Sequence, residues 1–592
     1  MKKQIFIAVN LLILALLLIK GTAMAQKDSI RLKQEVEVTK AYQPTILDAV
    51  KINDIPKIKP EQTEAPVFDY SIYSKPIFST FEPTPVEAAK MVGDPRPEMG
   101  NGLLKLGIGN YLTPYGELFF NAQPDKKSNF GMHFRHLSSS GKISLLNGDK
   151  VDVPQSDNQA EIFGKKFFHE SSLSGNLSYD RKAFNYYGYT GNELADLLKE
   201  QVIPFLGNKQ YFSKGTLDVR WKSETLSKDV LNFELGLNTH YLTSKTGQRE
   251  LQTIISGDLR KKFGNMLGIL NFSITNYQAD SISSRVTNVI GSKHQVIYRA
   301  NPSVKWKSET ASFQVGVNSA LVLDDDTDGL LTIWPMAKAE WSPVERILTL
   351  FAGLDGHLQH NTYSSIASEN PYVDPYHDVA NTDYKTVISG GLKGKLSSKT
   401  NYVAAASWSV VKDQHFYVLE STDFADYSSV NRKLNNTFSW VYDDVNILKL
   451  SGEVMHSVSD NFSLHLLANY YSYDLKTQSN AWQMPDLDFT FSGIYKATDQ
   501  LKFTTDIFVV GSRTALIMNY SSQISPQVKI GAENIEKKMD PIIDLNAGAE
   551  YQFNDKINFF LKLNNFGFQK YEQWLGYSNK GFNFLAGASY SF

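Results

Sequence analysis

The chain has 592 residues, a formal net charge of -2 and no cysteine. The nearly balanced charge argues against a nucleic-acid partner, because such a partner calls for a strongly basic face. The lack of cysteine excludes disulfides, thiolate metal sites, cysteine nucleophiles and a lipid anchor on an N-terminal cysteine. Aromatic residues make up 12% of the chain, a content that suits the aromatic girdles found at membrane interfaces.

The first 25 residues have the pattern of a signal peptide. Lys2 and Lys3 precede an apolar run over residues 5–19, and a small-x-small cleavage pattern ends at Ala25. The alternative is a membrane anchor, but the run is shorter than the ~20 residues that a spanning helix needs. We therefore predict cleavage after residue 25 and export.

Residues 26–101 form a proline-rich segment. Proline removes backbone donors and fixes φ, so we expect an extended segment with little regular structure. A short alternating stretch within it is able to add as a strand to another sheet; it consists of Glu35, Val36, Glu37, Val38 and Thr39. The nine prolines of the segment are Pro44, Pro56, Pro60, Pro66, Pro76, Pro83, Pro85, Pro95 and Pro97.

Residues 102–592 repeat an alternation of apolar and polar side chains, as in residues 231–241 and 543–551. A period of two indicates strands with one apolar and one polar face. The segments are about 10 to 14 residues long, which suits tilted strands that cross lipid better than the shorter strands of soluble sandwiches. Since lipid offers no partner to backbone groups, such strands must close into a barrel.

Short polar turns alternate with longer loops along this region, which is typical of barrels in the outer membrane. Ten turns and eleven loops would join about 22 strands and leave both termini in the periplasm. The sequence therefore predicts an all-β fold: a transmembrane antiparallel β-barrel in contact with outer-membrane lipid. The ten predicted turns are residues 124–127, 169–171, 222–228, 262–265, 307–312, 342–345, 396–400, 457–461, 496–500 and 554–555.

The C-terminal end resembles the end of a TonB-dependent receptor barrel of the Bacteroidetes type. The resemblance rests on residues 559–566, on Trp574 and on an aromatic last strand that ends with Tyr590 and Phe592. That family has 22 strands, and its last strand is recognised by the outer-membrane insertion machinery. The resemblance also implies that residues 35–40 are an energy-coupling box or a first plug strand, with TonB or another periplasmic or outer-membrane protein as partner.

The sequence departs from the family before the barrel, because residues 26–101 are too few and too rich in proline for a receptor plug. Two functions therefore stay open. The first is a transporter or channel for an unidentified solute. The second is a barrel that does not transport and acts as a scaffold subunit of an outer-membrane complex.

An acidic loop is the one candidate metal site in the sequence. Asp324, Asp326 and Asp328 have the spacing of a calcium loop, but Pro335 stands where that loop type needs a bidentate Glu. We expect a solvated hairpin loop, with a loose calcium site as the alternative. No catalytic or cofactor motif is present, so neither an enzyme nor a cofactor is predicted.

Two further features fall in predicted outer loops. Residues 192–202 have a helical pattern that suits either loop decoration or a lid. Trp482 and Trp574 are able to stack on sugars or contact a partner, although girdle positions are the commoner case for tryptophan.

Overall fold

In a computed structural model, the described residues are 101–592 except 126, 189–208, 225–229, 283–289, 326, 375–377, 423–436 and 521–533. The predicted signal peptide, the proline-rich segment with Glu35 to Thr39, and the helical pattern at 192–202 lie outside the described residues. No helix in the described part of the chain is long and apolar enough to cross a membrane.

The described residues form 28 strands and one helix, α1 (Tyr363–Glu369). The strands of the first half are β1 (Gly102–Gly109), β2 (Thr113–Asp125), β3 (Ser128–Ser139), β4 (Lys142–Ser144), β5 (Lys150–Asp152), β6 (Gln155–Phe167), β7 (Ser171–Asn185), β8 (Lys209–Ser223), β9 (Asn232–Ser244), β10 (Arg249–Phe263), β11 (Met266–Ile282), β12 (Ile290–Lys307), β13 (Ala311–Asp324) and β14 (Thr327–Val344). The strands of the second half are β15 (Leu348–Gln359), β16 (Thr382–Ser397), β17 (Thr400–Thr422), β18 (Phe438–Ser459), β19 (Phe462–Leu475), β20 (Leu487–Lys496), β21 (Leu501–Val510), β22 (Arg513–Tyr520), β23 (Ile535–Met539), β24 (Ile542–Gln552), β25 (Ile557–Asn564), β26 (Glu572–Trp574), β27 (Tyr577–Ser578) and β28 (Asn583–Ser591).

Twenty-two of these strands form a closed antiparallel barrel, as predicted. Each barrel strand pairs with the next one along the chain, and β28 closes the ring by pairing with β1. The closure extends one residue further, because the amide of Phe592 donates to the carbonyl of Gly102 at 3.0 Å and the amide of Gly102 donates to the carbonyl of Phe592 at 2.8 Å. Three hairpins, β4–β5, β22–β23 and β26–β27, stand outside the ring.

The two faces of the wall differ as the alternation predicts. On β9, the apolar side chains of Leu235, Leu237 and Tyr241 are exposed on the outer face. On the inner face of the same strand, Asn238 donates to Asp218 at 3.1 Å and His240 is buried. A closed barrel with an apolar outer belt is the form of a protein embedded in the outer membrane. We therefore place this barrel in the outer membrane.

The ten predicted short turns all join consecutive barrel strands at one end of the barrel, and the longer connections lie at the other end. Trp221, Trp306 and Trp341 are exposed on the outer face close to three of these turns, where an inner aromatic girdle is expected. The short-turn end is the periplasmic end in barrels of this kind. The long connections therefore lie at the outer mouth.

The wall is uneven in height. β1 and β25 have 8 residues each, whereas β17 has 23 and β18 has 22. A membrane strand needs about 9 to 11 residues, so the upper parts of β17 and β18 extend well beyond the lipid. The expected strand length of about 10 to 14 residues is wrong for this side of the barrel.

Candidate functional site: a loop cap over the outer mouth

Long connections from around the ring meet at the outer mouth and bury a common apolar core. We call the described parts of these connections the loop cap. The loop cap comprises residues 140–154, 186–188, 360–374, 378–381, 413–422, 437–445, 476–486, 511–520, 534–541 and 565–582. Its main core includes Leu145, Tyr187, Ile366, Val373, Tyr417, Phe438, Ala515, Leu575 and Tyr577, all buried.

A small sheet forms the centre of the loop cap. The upper end of β17 pairs in parallel with β22, with Leu419 opposite Ile517. β22 also pairs with β23, and β17 pairs with β18, so the strand order is β23–β22–β17–β18. The β22–β23 hairpin leaves the ring between β21 and β24, which are not neighbours of β17. Backbone hydrogen bonds therefore connect two separate parts of the rim.

One face of this sheet packs against an aromatic cluster. The rings of Tyr372 and Tyr577 stack with their centroids 3.6 Å apart, and Tyr187 meets Tyr577 edge-on at 5.0 Å. Gly188 lies against the same ring so closely that a Cβ atom would come within 2.5 Å of it. Burial raises the pKa of Tyr372 to about 12, so its hydroxyl stays neutral. Trp574 packs edge-on against Tyr417 at 5.0 Å.

The other face of the sheet packs against the connection between β19 and β20. Phe416 and Val418 of β17, Leu516 of β22 and Trp482 form a second core. Trp482 is only 2% exposed, and its Nε1 donates to Oε1 of Gln478 at 2.8 Å. The interpretation of Trp482 as a girdle residue or an exposed stacking platform is therefore wrong. Trp574 is no girdle residue either, because it is partly buried against the main core of the folded loops.

A buried carboxylate anchors α1 to the barrel wall. Glu250 is 1% exposed. It accepts hydrogen bonds from the backbone N–H of Ser364 at 3.0 Å and from the Tyr277 hydroxyl at 3.1 Å. It also pairs with Nε2 of His240 at 2.9 Å. A carboxylate at the first turn of a helix satisfies backbone donors that the helix itself cannot. This contact fixes the helix at a defined position on β10.

A buried arginine connects the β22–β23 hairpin to the β26–β27 hairpin. Arg513 is 6% exposed, and its guanidinium donates to the backbone carbonyls of Glu572 at 2.6 Å and of Gln573. Burial lowers the pKa of Arg513 to about 10, which leaves it protonated at neutral pH. Two charge-assisted hydrogen bonds therefore join two of the three hairpins outside the ring.

The lumen side of the wall carries charged networks. On β1 to β6, Glu117 accepts from the Tyr115 hydroxyl at 2.6 Å and pairs with His133 at 3.1 Å and with Lys105 at 3.6 Å. His133 stacks on Phe119 and lies 3.9 Å from Glu161. Cross-strand pairs of this kind stabilise the wall, and they give the lumen side a polar lining.

Comparison with known proteins shows a likeness in fold. No protein-family model and no curated protein matches the sequence. Solved structures match over most of both chains. The siderophore receptor PirA from Acinetobacter baumannii has a TM-score of 0.61 at 9% identity and covers 83% of this chain and 80% of its own. The FrpB iron transporter from Neisseria meningitidis (F5-1 variant) has a TM-score of 0.61 at 9% identity, with 84% and 83% covered.

A third solved structure, the copper transporter OprC, has a TM-score of 0.58 at 13% identity and covers 83% of this chain and 81% of its own. With the closed 22-strand ring, these matches decide the architecture. The chain has the barrel fold of the TonB-dependent outer-membrane receptors. At these identities the likeness concerns the fold alone. It does not identify a substrate for this barrel.

The structure describes only some of the site residues that the sequence predicts for this barrel. Tyr590 and Phe592 lie exposed at the short-turn end with their rings stacked at 6.0 Å. Their recognition by the insertion machinery stays a prediction. Asp324 ends β13, whereas Asp326 and the side chain of Asp328 lie outside the described residues. Among the residues that the structure describes, no group of three or more His, Asp or Glu side chains is placed to hold a metal ion.

The loop cap of this barrel was not predicted from the sequence. The signals were the aromatic residues between barrel strands, such as Tyr186 and Tyr187 after β7, and the excess length of β17 and β18. Neither signal identifies its partners, because the contacts join residues hundreds of positions apart. The hydroxyl of Tyr111, for example, donates to the carbonyl of Lys580.

Proposed function

We propose that the chain transports an unidentified solute across the outer membrane through its lumen, with the loop cap as the gate of the outer mouth. The single observation that carries the proposal is the strand order β23–β22–β17–β18, which connects two separate parts of the outer rim by backbone hydrogen bonds. Support from analogy comes from the solved structures of the same fold, which include a copper transporter, a siderophore receptor and an iron transporter. None of these three proteins is named as an enzyme, and we propose no catalytic role.

The test is conductance in planar bilayers. In the proposed mechanism the purified full chain is closed, and it opens when residues 513–539 are replaced by a short Gly-Ser linker, because the linker breaks the pairing with β17. Phe568→Ala is the matched control, since this loop side chain is 69% exposed and lies outside the core. Closed recordings from the linker variant would contradict the gate. Open recordings from the unmodified chain would do so as well.

Residues 26–101 are the second part of the proposed gate. A chain of this length in an extended form, at about 3.1 Å per residue, is long enough to occupy a lumen of this size. We propose that it fills part of the lumen and that Glu35 to Thr39 engage TonB or another periplasmic protein. Deletion of residues 26–94 in the linker variant should then enlarge its pore further, with cells sensitive to bulky antibiotics. Unchanged conductance together with loss of a periplasmic partner would favour the scaffold function.

The scaffold function has its own supporting observation. The loop cap is held by backbone pairing, buried aromatic rings and the Arg513 contacts, so opening it costs far more than moving a single loop. A barrel that never opens would serve as an anchor for other chains. Purification in mild detergent separates the two functions, because a stoichiometric co-purifying protein and no conductance in any variant would support the scaffold.

A further inference from the structure

Four cationic side chains lie close together on the outer face of the wall, at the outer ends of β7 to β10. We call them the basic patch: Arg181 of β7, Lys209 of β8, Lys245 of the turn between β9 and β10, and Arg249 of β10. The last three are exposed. The alternation along the strands points these three outward, because the residues beside them, Gln210, Ser244 and Glu250, are buried on the lumen side.

The strand register brings the four side chains together. Arg249 pairs with Thr243 of β9. Lys245 follows Thr243 in the turn, and its amide donates to the carbonyl of Tyr211 on β8 at 3.1 Å. On the β7 side of the same strand, the guanidinium of Arg181 stacks on the Tyr211 ring at 4.6 Å. At about 4.8 Å between neighbouring strands, the basic patch is therefore roughly 15 Å wide.

The charges of the basic patch are not neutralised within the described part of the chain. None of its four cations forms an ion pair there, and Asp280 of β11, which lies opposite Arg249 in the register, does not pair with it. At a similar height on another side of the ring, Lys476 does pair with an acid, Asp444, at 3.1 Å. Four cations beside one carboxylate give this part of the outer face a clear excess of positive charge, so it attracts anions.

The height of the basic patch coincides with the headgroups of the outer leaflet. At about 3.3 Å per residue and a tilt of about 40°, Arg181 stands roughly 25 Å above the start of β7, and Arg249 roughly 35 Å above the end of β10. The hydrocarbon core is about 30 Å thick, and the headgroups add about 5 to 8 Å on each side. Tyr179 and Tyr241, each 47% exposed, lie just below the patch, where an outer aromatic girdle is expected.

We propose that the basic patch binds the phosphate group of a lipid headgroup in the outer leaflet. Phosphate oxygens accept charge-assisted hydrogen bonds from guanidinium and ammonium groups. The stacking of Arg181 on Tyr211 fixes the plane of its guanidinium and leaves the N–H groups at its edge for a ligand. A lipid binds better than a free phosphate ion, because its acyl chains pack on the apolar belt below the patch, where Leu177 and Leu217 are exposed.

Photo-crosslinking tests the proposal on the full chain in phosphatidylcholine vesicles. Two probes carry the same diazirine-bearing acyl chain. One is phosphatidic acid, whose headgroup is a bare phosphate, and the other is phosphatidylcholine, whose headgroup is zwitterionic. At low salt, the phosphatidic acid probe should label residues 209–217 and 237–251 at least about fivefold more than the phosphatidylcholine probe. Salt at about 0.5 M should reduce this preference by screening. Equal labelling by the two probes at low salt would overturn the proposal.

Charge variants assign the preference to the basic patch. The combined variant Arg181→Gln, Lys209→Gln, Lys245→Gln and Arg249→Gln should be labelled equally by the two probes, while the barrel keeps its heat-modifiable mobility. Lys261→Gln is the matched control and should keep the preference, because Lys261 is an exposed cation on the same strand and face as Arg249 but close to the short turn. A preference that survives in the combined variant, or that disappears in the control, would refute the site.

Two further measurements identify the anion. Inorganic phosphate in large excess should leave the labelling by the phosphatidic acid probe unchanged, because a free ion has no acyl chain to pack on the belt. Displacement by inorganic phosphate would show a site for a soluble anion and would overturn the lipid assignment. After extraction from the native outer membrane in mild detergent, the unmodified chain should retain more lipid phosphorus per barrel than the combined variant. Equal phosphorus content in the two would contradict the proposal.

Discussion

The ring of Tyr372 stacks on the ring of Tyr577 with an angle of 18° between their planes, although the two residues belong to different connections. Tyr372 lies in the connection between β15 and β16, and Tyr577 lies in the connection between β25 and β28. Both rings also contact Tyr187, from a third connection. Three parts of the rim therefore meet at one aromatic cluster, and the stability of the loop cap depends on it.

Removal of one ring from this cluster should loosen the loop cap without unfolding the barrel. Tyr577→Ala leaves a cavity that Tyr372, Tyr187 and Gly188 now line, at a cost of about 3 to 5 kcal/mol for a buried aromatic ring. We expect faster proteolytic cleavage in residues 565–582 and unchanged heat-modifiable mobility. Leu146→Ala is the control, because Leu146 is 50% exposed at the tip of the β4–β5 hairpin. Equal cleavage of both variants would argue against the cluster as the main support.

Loss of the Glu250 carboxylate should release α1. Glu250→Ala leaves the N–H of Ser364 and the hydroxyl of Tyr277 without their acceptor in a buried site, which costs on the order of 3–5 kcal/mol. We expect hydrogen exchange over residues 363–369 to accelerate, whereas exchange in β11 stays slow. Glu453→Ala is a suitable control, since Glu453 also pairs with a histidine, His465 at 2.9 Å, within the wall formed by β18 and β19. The same acceleration in both variants would contradict the anchoring role.

Neighbouring residues on β9 test the assignment of the two faces. Phe233 lies beside Trp221, with ring centroids 4.9 Å apart, near the short-turn end, so an arginine there costs little. Leu237 lies further up the strand, where Leu237→Arg should cost about 2–4 kcal/mol. Asn238→Arg, one residue away but on the lumen face, should cost far less. The measurement is the fraction of heat-stable barrel after refolding into vesicles, and similar losses in the two variants would refute the assignment.

The connection after β15 contains a histidine whose protonation should weaken the loop cap. Burial lowers the pKa of His360 from 6.5 to about 4, although its hydrogen bond to Asn381, at 2.9 Å, opposes the shift. The unfolded connection binds a proton below pH 6.5, whereas the folded one resists it down to about pH 4. Stability is therefore complete above pH 6.5, falls between pH 6.5 and 4, and levels off below.

An NMR titration of ¹³C-labelled histidines tests this directly. We expect one resonance with a midpoint near pH 4 that disappears in His360→Asn. The charged neighbours that the titration must take into account are Glu250, Lys293 and Arg299. A midpoint near 6.5 for the resonance lost in the variant would show that His360 is not buried in solution.

The barrel itself was largely predictable from the sequence because its rules are local. Residues 231–241 alternate in sequence and in space, and all ten polar turns connect neighbouring strands. Lipid requires an apolar side chain at every second residue of each strand. Each strand therefore shows the alternating pattern by itself. The strand count of 22 followed from the turns and the loops alone.

The loop cap was not predictable, because no local rule applies to it. The residues next to Trp482 in the sequence are mostly polar, as in an exposed loop. Trp482 is buried because it packs with Leu516 of β22 and Phe416 of β17. The need for Gly356 was hidden for the same reason: the sequence around it continues the alternation, and a Cβ atom there would lie 2.5 Å from the Trp334 ring and 2.9 Å from the carbonyl oxygen of Lys385. Contacts between residues that are not sequence neighbours decide both features.

The loop cap also sets an order of events in folding. Its core takes residues from the connection that follows β3 and from the connection that precedes β28, so the core is complete only when the first and last parts of the barrel have met. Contacts of such long sequence separation form late and slowly. Closure of the ring and sealing of the mouth are therefore one step, and a barrel stalled before β28 docks on β1 exposes its aromatic core, which makes it recognisable as unfinished.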